Sequence, residues 1–224
     1  MSAMQIYCRG LLFDMDGVLV DSTPAVARVW TTWANKFGFE PSDVVRRAHG
    51  RPSIATIREL LPDGDHHAED LEIEKAEIED IGDVIALPGA GPLLAGLADA
   101  RYAVVTSATH ALAVVRLQAA GFRIPEHLVT ASNIKRGKPD PEPYLRGAQS
   151  LGLAAADCVV IEDAPAGIRS GKAAGSRVIA LQTTADDAAL RQSGADWIVD
   201  NCSAISVASN STDGSLVLTL SDQP

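Results

Sequence analysis

Leu11-Leu12-Phe13-Asp14-Met15-Asp16-Gly17-Val18-Leu19-Val20-Asp21-Ser22 decides how this chain is read. An apolar run delivers two carboxylates, spaced i and i+2, into a glycine turn. On a strand, residues i and i+2 share a face, so Asp14 and Asp16 are expected to address one ligand. Two carboxylates held that close cannot both ionise freely unless a cation or a shared proton relieves them. One then suits a nucleophile and metal ligand, the other an acid/base group. The plain alternative is a strand ending in a solvated Asp-Gly turn. The rest of the chain has to choose between the two.

Working outward, short apolar runs alternate with Ala-rich helical stretches from Arg101 onward. The runs are Ala103-Val104-Val105-Thr106, Leu128-Val129-Thr130, Cys158-Val159-Val160-Ile161, Arg177-Val178-Ile179-Ala180 and Trp197-Ile198-Val199. Continuous apolar strands separated by helices read as buried parallel strands of an α/β sheet, and Gly10 to Phe13 adds one more. Between Pro24 and about Ile85 the strand signal disappears. Pro24 opens a helix with Trp30, Trp33 and Phe37 on one stripe, read as packing core. A second helix is expected from Glu69 to Ile81, with Leu71 and Ile78 inward and a charged face outward. Leu87-Pro88-Gly89-Ala90 marks the return to the sheet. The expected division is therefore residues 1–18 and 87–224 as the core, with 19–86 as an all-helical insert. Ile205 to Leu220 reads as a C-terminal hairpin around Ser211-Thr212-Asp213-Gly214. Gly89-Ala90-Gly91-Pro92-Leu93-Leu94 starts like a dinucleotide fingerprint, but Leu stands where the third glycine belongs.

The 224 residues are 46% hydrophobic and only 4% aromatic, so the expected core is large and aliphatic. A net charge of -10 opposes non-specific binding to nucleic acid or an anionic membrane, while leaving an anionic small substrate possible. Cys8, Cys158 and Cys202 have no ligand spacing, which fits a reducing compartment. No signal architecture or membrane-length apolar run is present, so a cytoplasmic location is expected. His49, His66, His67, His110 and His127 lack metal-ligand spacing.

Open α/β sheets bind ligands beyond the carboxyl ends of their strands. Those ends supply Asp14 and Asp16, then Thr106 and Ser107, then Glu162 and Asp163, with Lys138 in a loop between them. Each has an ordinary reading: a turn acid, a strand-ending threonine, a solvated lysine, a helix-capping pair. Their coincidence at successive strand ends favours one site. A carboxylate attacking a phosphate dianion meets like charges costing about 4 kcal/mol per pair at ~4 Å and an effective dielectric near 20. A hard divalent cation and a lysine can cancel a barrier of that size.

These residues, in this order, resemble the haloacid dehalogenase superfamily, and within it phosphatases that carry a helical cap after the first strand. The resemblance rests on Asp14-Met15-Asp16-Gly17-Val18, Val105-Thr106-Ser107, Lys138-Pro139-Asp140 and Ile161-Glu162-Asp163-Ala164-Pro165-Ala166-Gly167-Ile168, and spans about Gly10 to Val199. Ala48-His49-Gly50-Arg51-Pro52, Ala86-Leu87-Pro88-Gly89-Ala90 and Arg136-Gly137-Lys138-Pro139 look like bacterial sugar and polyol phosphatases, with hexitol and glycerol phosphate types nearest. The resemblance implies a Rossmann-like core with an inserted cap, and a phosphatase acting through an aspartyl-phosphate on Asp14. It gives Asp16 the acid/base role, Thr106 the phosphate oxygens and Lys138 charge neutralisation. It implies Mg²⁺ on Asp14, the Asp16 carbonyl and Asp163, with Glu162 touching the ion or one layer behind. Ser107, and Arg51 and His49 from the cap, are candidates for binding a small phosphorylated sugar or polyol. A monomer or weak dimer is expected. Ala108 stands where many relatives have Gly or Asn, which bears on the phosphate loop's shape.

Two other readings compete. A sugar-phosphate mutase of the beta-phosphoglucomutase kind shares the motifs and differs in the cap. A phosphorylation-switched signalling domain also combines acids, a hydroxyl and a lysine. Its phospho-acceptor follows the acidic pair on an internal strand, however, and it has no cap, whereas here the nucleophile motif comes first.

Overall fold

A computed structural model of the protein describes residues 4–98, 101–209 and 215–221. The chain opens with β1 (Met4–Cys8) and β2 (Gly10–Phe13), the latter buried at every position. It then leaves the sheet through β3 (Val20–Asp21), α1 (Thr23–Phe37), α2 (Pro41–Ala48), α3 (Ser53–Leu60), α4 (His66–Glu79) and β4 (Ile85–Ala86). The return runs through α5 (Ala90–Ala95), β5 (Tyr102–Val105), α6 (His110–Ala119), β6 (Leu128–Val129) and α7 (Glu142–Ser150). Then come β7 (Cys158–Glu162), α8 (Pro165–Ala173), β8 (Arg177–Leu181), α9 (Asp187–Gln192) and β9 (Trp197–Val199). Two strands, β10 (Ile205–Ser209) and β11 (Leu216–Leu220), close the chain.

Six of these strands form one parallel sheet in the order β6-β5-β2-β7-β8-β9, with β2 near its centre. The α/β expectation holds. The period of two along each strand divides the core between the two faces. Leu11, Phe13, Val104, Val159, Ile161 and Ile179 share one face, where Phe13 meets Tyr102 edge-on at 6.1 Å. Leu12, Ala103, Val105, Val160, Val178 and Ala180 pack on the other, against Tyr144 and Ile168. Both faces are covered, which is why the strands read as unbroken apolar runs.

The segment between β2 and β5 has a core of its own. Trp30 and Trp33 contact at 5.6 Å and join Val44, Ile57 and Ile73, so the aromatic stripe of α1 packs as expected. At the base of these helices, β3 and β4 pair as a two-stranded antiparallel ribbon, so the insert is not purely helical. One sequence expectation fails here. Leu71 is 51% exposed, and α4 instead buries Ile73 and Glu77. The cause is Arg116 of α6, which lies 3.4 Å from Glu77 and turns an acidic face of α4 inward.

The C-terminal hairpin forms, with Ser209 opposite Leu216 across the antiparallel pair; its expected turn, Ser211 to Gly214, lies outside the described residues. β11 also pairs antiparallel with β1, giving a second sheet of order β1-β11-β10.

Candidate active site

Local backbone requirements bring the first two acids to the sheet edge. Asp14 N–H continues the ladder to the Ile161 carbonyl at 2.9 Å, and the chain then turns at Gly17. Gly17 has φ of +81°, and a Cβ there would lie 2.0 Å from Asp163 Oδ2. Glycine meets both demands, the left-handed backbone and the close approach of the β7 carboxylate.

Around Asp14 the polar groups are buried and tightly paired. Lys138 Nζ donates to Asp14 Oδ1 at 2.6 Å, Glu162 Oε1 at 2.8 Å and the Val105 carbonyl at 3.2 Å. Tyr144 Oη donates to Glu162 Oε1 at 2.9 Å, and the N–H groups of Asp163 and Ala164 donate to Glu162 Oε2, each at 2.9 Å. Four bonds fill the acceptor capacity of Glu162. Asp163 Oδ2 is bonded to His49 Nε2 at 3.1 Å and accepts from Thr184, while Asp163 Oδ1 is buried with no hydrogen-bond partner.

Electrostatics follow from this crowding. Burial drives the Asp14 carboxyl well above the usual carboxylate range; Lys138 pulls it back, while Glu162 and Asp163 push it further up. Burial raises Asp163 as well. Glu162 also feels burial, but Lys138 and its backbone donors hold it below the ordinary value. Burial works against the Lys138 ammonium, yet Asp14 and Glu162 outweigh it and keep the group charged. Burial likewise opposes the charged His49 ring, but its bond to Asp163 pushes it up to about 8.

Oxygens of Asp14, Glu162 and Asp163 lie within 4.8 Å of one another. Two of these carboxylates share the Lys138 ammonium, the third is paired with His49, and one buried oxygen of that third lacks a donor. That is a donor set suited to a hard divalent cation. With Glu162 fully bonded, Asp14 and Asp163 are the side chains left to take it.

A cavity of about 120 Å³ opens above the cluster between sheet edge and insert, lined among others by Asp14, Asp16, His49, Arg51, Thr106 and Ser107. Lys138, Glu162 and Asp163 sit beneath it, so the structure gathers every residue singled out from the sequence. Asp16 Oδ1 accepts from Ser22 Oγ at 2.6 Å and Arg116 Nη1 at 3.0 Å. Thr106 Oγ1 accepts from the Ala108 N–H at 3.0 Å, so Ala108 serves the turn through its backbone. Ser107 Oγ donates to the Gly50 carbonyl at 3.4 Å, and Arg51 is paired with Glu59 at 2.9 Å at the rim. Ser22 ends the opening stretch but was given no role there, and Arg116, Tyr144 and Thr184 had no signal in the sequence, because each reaches the site from a helix or loop that carries no motif.

Comparison with known proteins agrees with this geometry. Residues 8–175 match the family model of haloacid dehalogenase-like hydrolases. The chain is 46% identical over 190 residues to hexitol phosphatase A of Escherichia coli, covering 83% of this chain and 88% of that protein. It is 37% identical over 211 residues to glycerol-1-phosphate phosphohydrolase 2 of Saccharomyces cerevisiae, covering 88% and 83%. Among solved structures, a hydrolase from Pseudomonas syringae superposes with a TM-score of 0.79 at 25% identity, covering 87% and 94%. An acidic pair closing the first core strand, a buried lysine joining it to a second acidic pair, and these likenesses together make the chain a member of the haloacid dehalogenase-like hydrolases.

Proposed function

We propose that the protein is a Mg²⁺-dependent phosphatase of small sugar or polyol phosphates, working through an aspartyl-phosphate on Asp14. The observation that carries this reading is the buried contact of Lys138 with both Asp14 and Glu162, under a cavity that Asp16 also lines. Likeness to a hexitol phosphatase and a glycerol-1-phosphate phosphohydrolase supports the substrate class.

In this account Asp14 attacks phosphorus, and the O–P bond to the sugar breaks as Asp16 protonates the leaving alkoxide. Ser22 and Arg116 both hold Asp16 Oδ1, which leaves Oδ2 to exchange the proton. Water then attacks phosphorus of the acyl phosphate and gives up its proton to Asp16 as the Asp14 O–P bond breaks, which releases inorganic phosphate and restores the Asp14 carboxylate. Lys138, anchored by Glu162, offsets charge on Asp14 and the phosphoryl oxygens, and Thr106 hydrogen-bonds those oxygens. Asp14, Asp163 and the Asp16 carbonyl would hold Mg²⁺, whose charge stabilises the transferring phosphoryl group. Residues 19–86 act as a cap that excludes water, with His49, Arg51 and Ser107 at its contact with the core. Three buried free thiols favour a reducing, cytoplasmic setting.

Phosphate release across hexose, pentose, hexitol and glycerol phosphates, with and without Mg²⁺, tests this. The expected result is Mg²⁺-dependent release from a few related members without added bisphosphate. Release only when a sugar bisphosphate is supplied would instead identify a mutase.

A further inference from the structure

Beside Val26 and Trp30 of α1 and Ile54 of α3, α4 gives the cavity an acidic wall. Asp70, Glu74 and Glu77 stand at i, i+4 and i+7, so they share one helix face, and all three line the cavity. None is a loose surface acid. Asp70 accepts from Ser53 of α3, Glu74 from Thr109 at the start of α6, and Glu77 lies against Arg116. Arg116 is the second observation. Its side chain is only 5% exposed and lines the same cavity; Nη1 is held by Asp16 and Nη2 lies 3.4 Å from Glu77, yet Nε has no hydrogen-bond partner. A buried guanidinium with one unpartnered N–H beside carboxylates that only accept makes a wall able to satisfy hydroxyl groups, which both donate and accept.

The charge on that wall is lopsided. Five carboxylates (Asp14, Asp16, Asp70, Glu74, Glu77) line the cavity against Arg51, Arg116 and His49. Arg51 is already paired with Glu59, and His49 with Asp163. Arg116 is held between Asp16 and Glu77, so an anionic group at the far end of a substrate would meet α4 with each cation of the lining already paired.

We infer that the α4 wall and Arg116 select a leaving group that is uncharged and rich in hydroxyls, and reject one that carries a second anionic group. The inference rests on the phosphatase reading and deepens it. It also accounts for hydrolysis over mutase chemistry, since a bisphosphate turning in the site would present its second phosphate to Asp70, Glu74 and Glu77.

The test compares glucitol 6-phosphate with gluconate 6-phosphate, which differ at the distal carbon by a hydroxymethyl against a carboxylate, with p-nitrophenyl phosphate as a probe lacking any distal group. The expected kcat/KM favours glucitol 6-phosphate by tenfold or more, about the size of one unfavourable charge contact. Glu74→Gln and Asp70→Asn, both less buried than Glu77, are expected to narrow that ratio severalfold by raising the gluconate rate. Equal rates on the two sugar derivatives, with p-nitrophenyl phosphate hydrolysed, would overturn the inference and leave the phosphatase reading standing. A preference that neither variant narrows would overturn the assignment to α4. No release from any of the three removes the phosphatase reading and the inference together.

Discussion

At Gly167 a hydrogen stands where any other residue would bring a carbon, and the site depends on it. A Cβ there would lie 1.5 Å from Glu162 Oε1, the oxygen that receives both Lys138 and Tyr144. Helix propensity alone favours Gly→Ala in α8 by about 1 kcal/mol. The clash is larger, because the carboxylate must move and Lys138 loses a partner while still buried. Gly167→Ala is therefore expected to lower stability in urea denaturation and to cut turnover more than tenfold. A gain in stability with unchanged turnover would show that Glu162 does not hold Lys138 in place.

Among the elements, β11 joins the two ends of the chain, pairing with β1 on one side and β10 on the other. Leu218 at its centre is fully buried, so Leu218→Ala is expected to cost about 3 kcal/mol in urea, the usual range for a large-to-small core change. The strands of the main sheet were legible because both their faces are covered, leaving runs such as Cys158 to Ile161 with no polar break. β1 was not legible. Buried Ile6 and Cys8 alternate with exposed Gln5 and Tyr7, a short pattern whose partner lies some two hundred residues away. In α4 the sequence misled for a related reason. Burying acids is ordinarily unfavourable, and nothing near α4 in the sequence announces Arg116. The acids proposed as catalytic and Lys138 were legible because the proposed chemistry calls for fixed residue types at strand ends and in the loop beside them. Tyr144 and Thr184 serve those residues through single bonds that many spacings could provide.

Taken as a whole, the molecule keeps its reactive groups in one place. Cys8, Cys158 and Cys202 are all buried, and burial pushes their thiols to about 11, 12 and 12. Only the thiolate reacts, so at pH 8 the folded protein is expected to leave a disulfide reagent nearly untouched, with three thiols appearing on unfolding in guanidinium. Rapid labelling of the native protein at pH 8 would contradict that burial. The same enclosure, under the insert, buries Asp14 beside Lys138 and Asp163 beside His49, and burial raises both carboxyls. As proposed, this enclosed Asp14 carries the phosphoryl group. The direct measurement is phosphate release from a hexitol phosphate by the wild type and by Asp14→Asn, with Mg²⁺ and with chelator, alongside circular dichroism of both proteins. The account predicts Mg²⁺-dependent release by the wild type and none above trace by the variant, with matching spectra. Substantial release by a folded Asp14→Asn protein would contradict it.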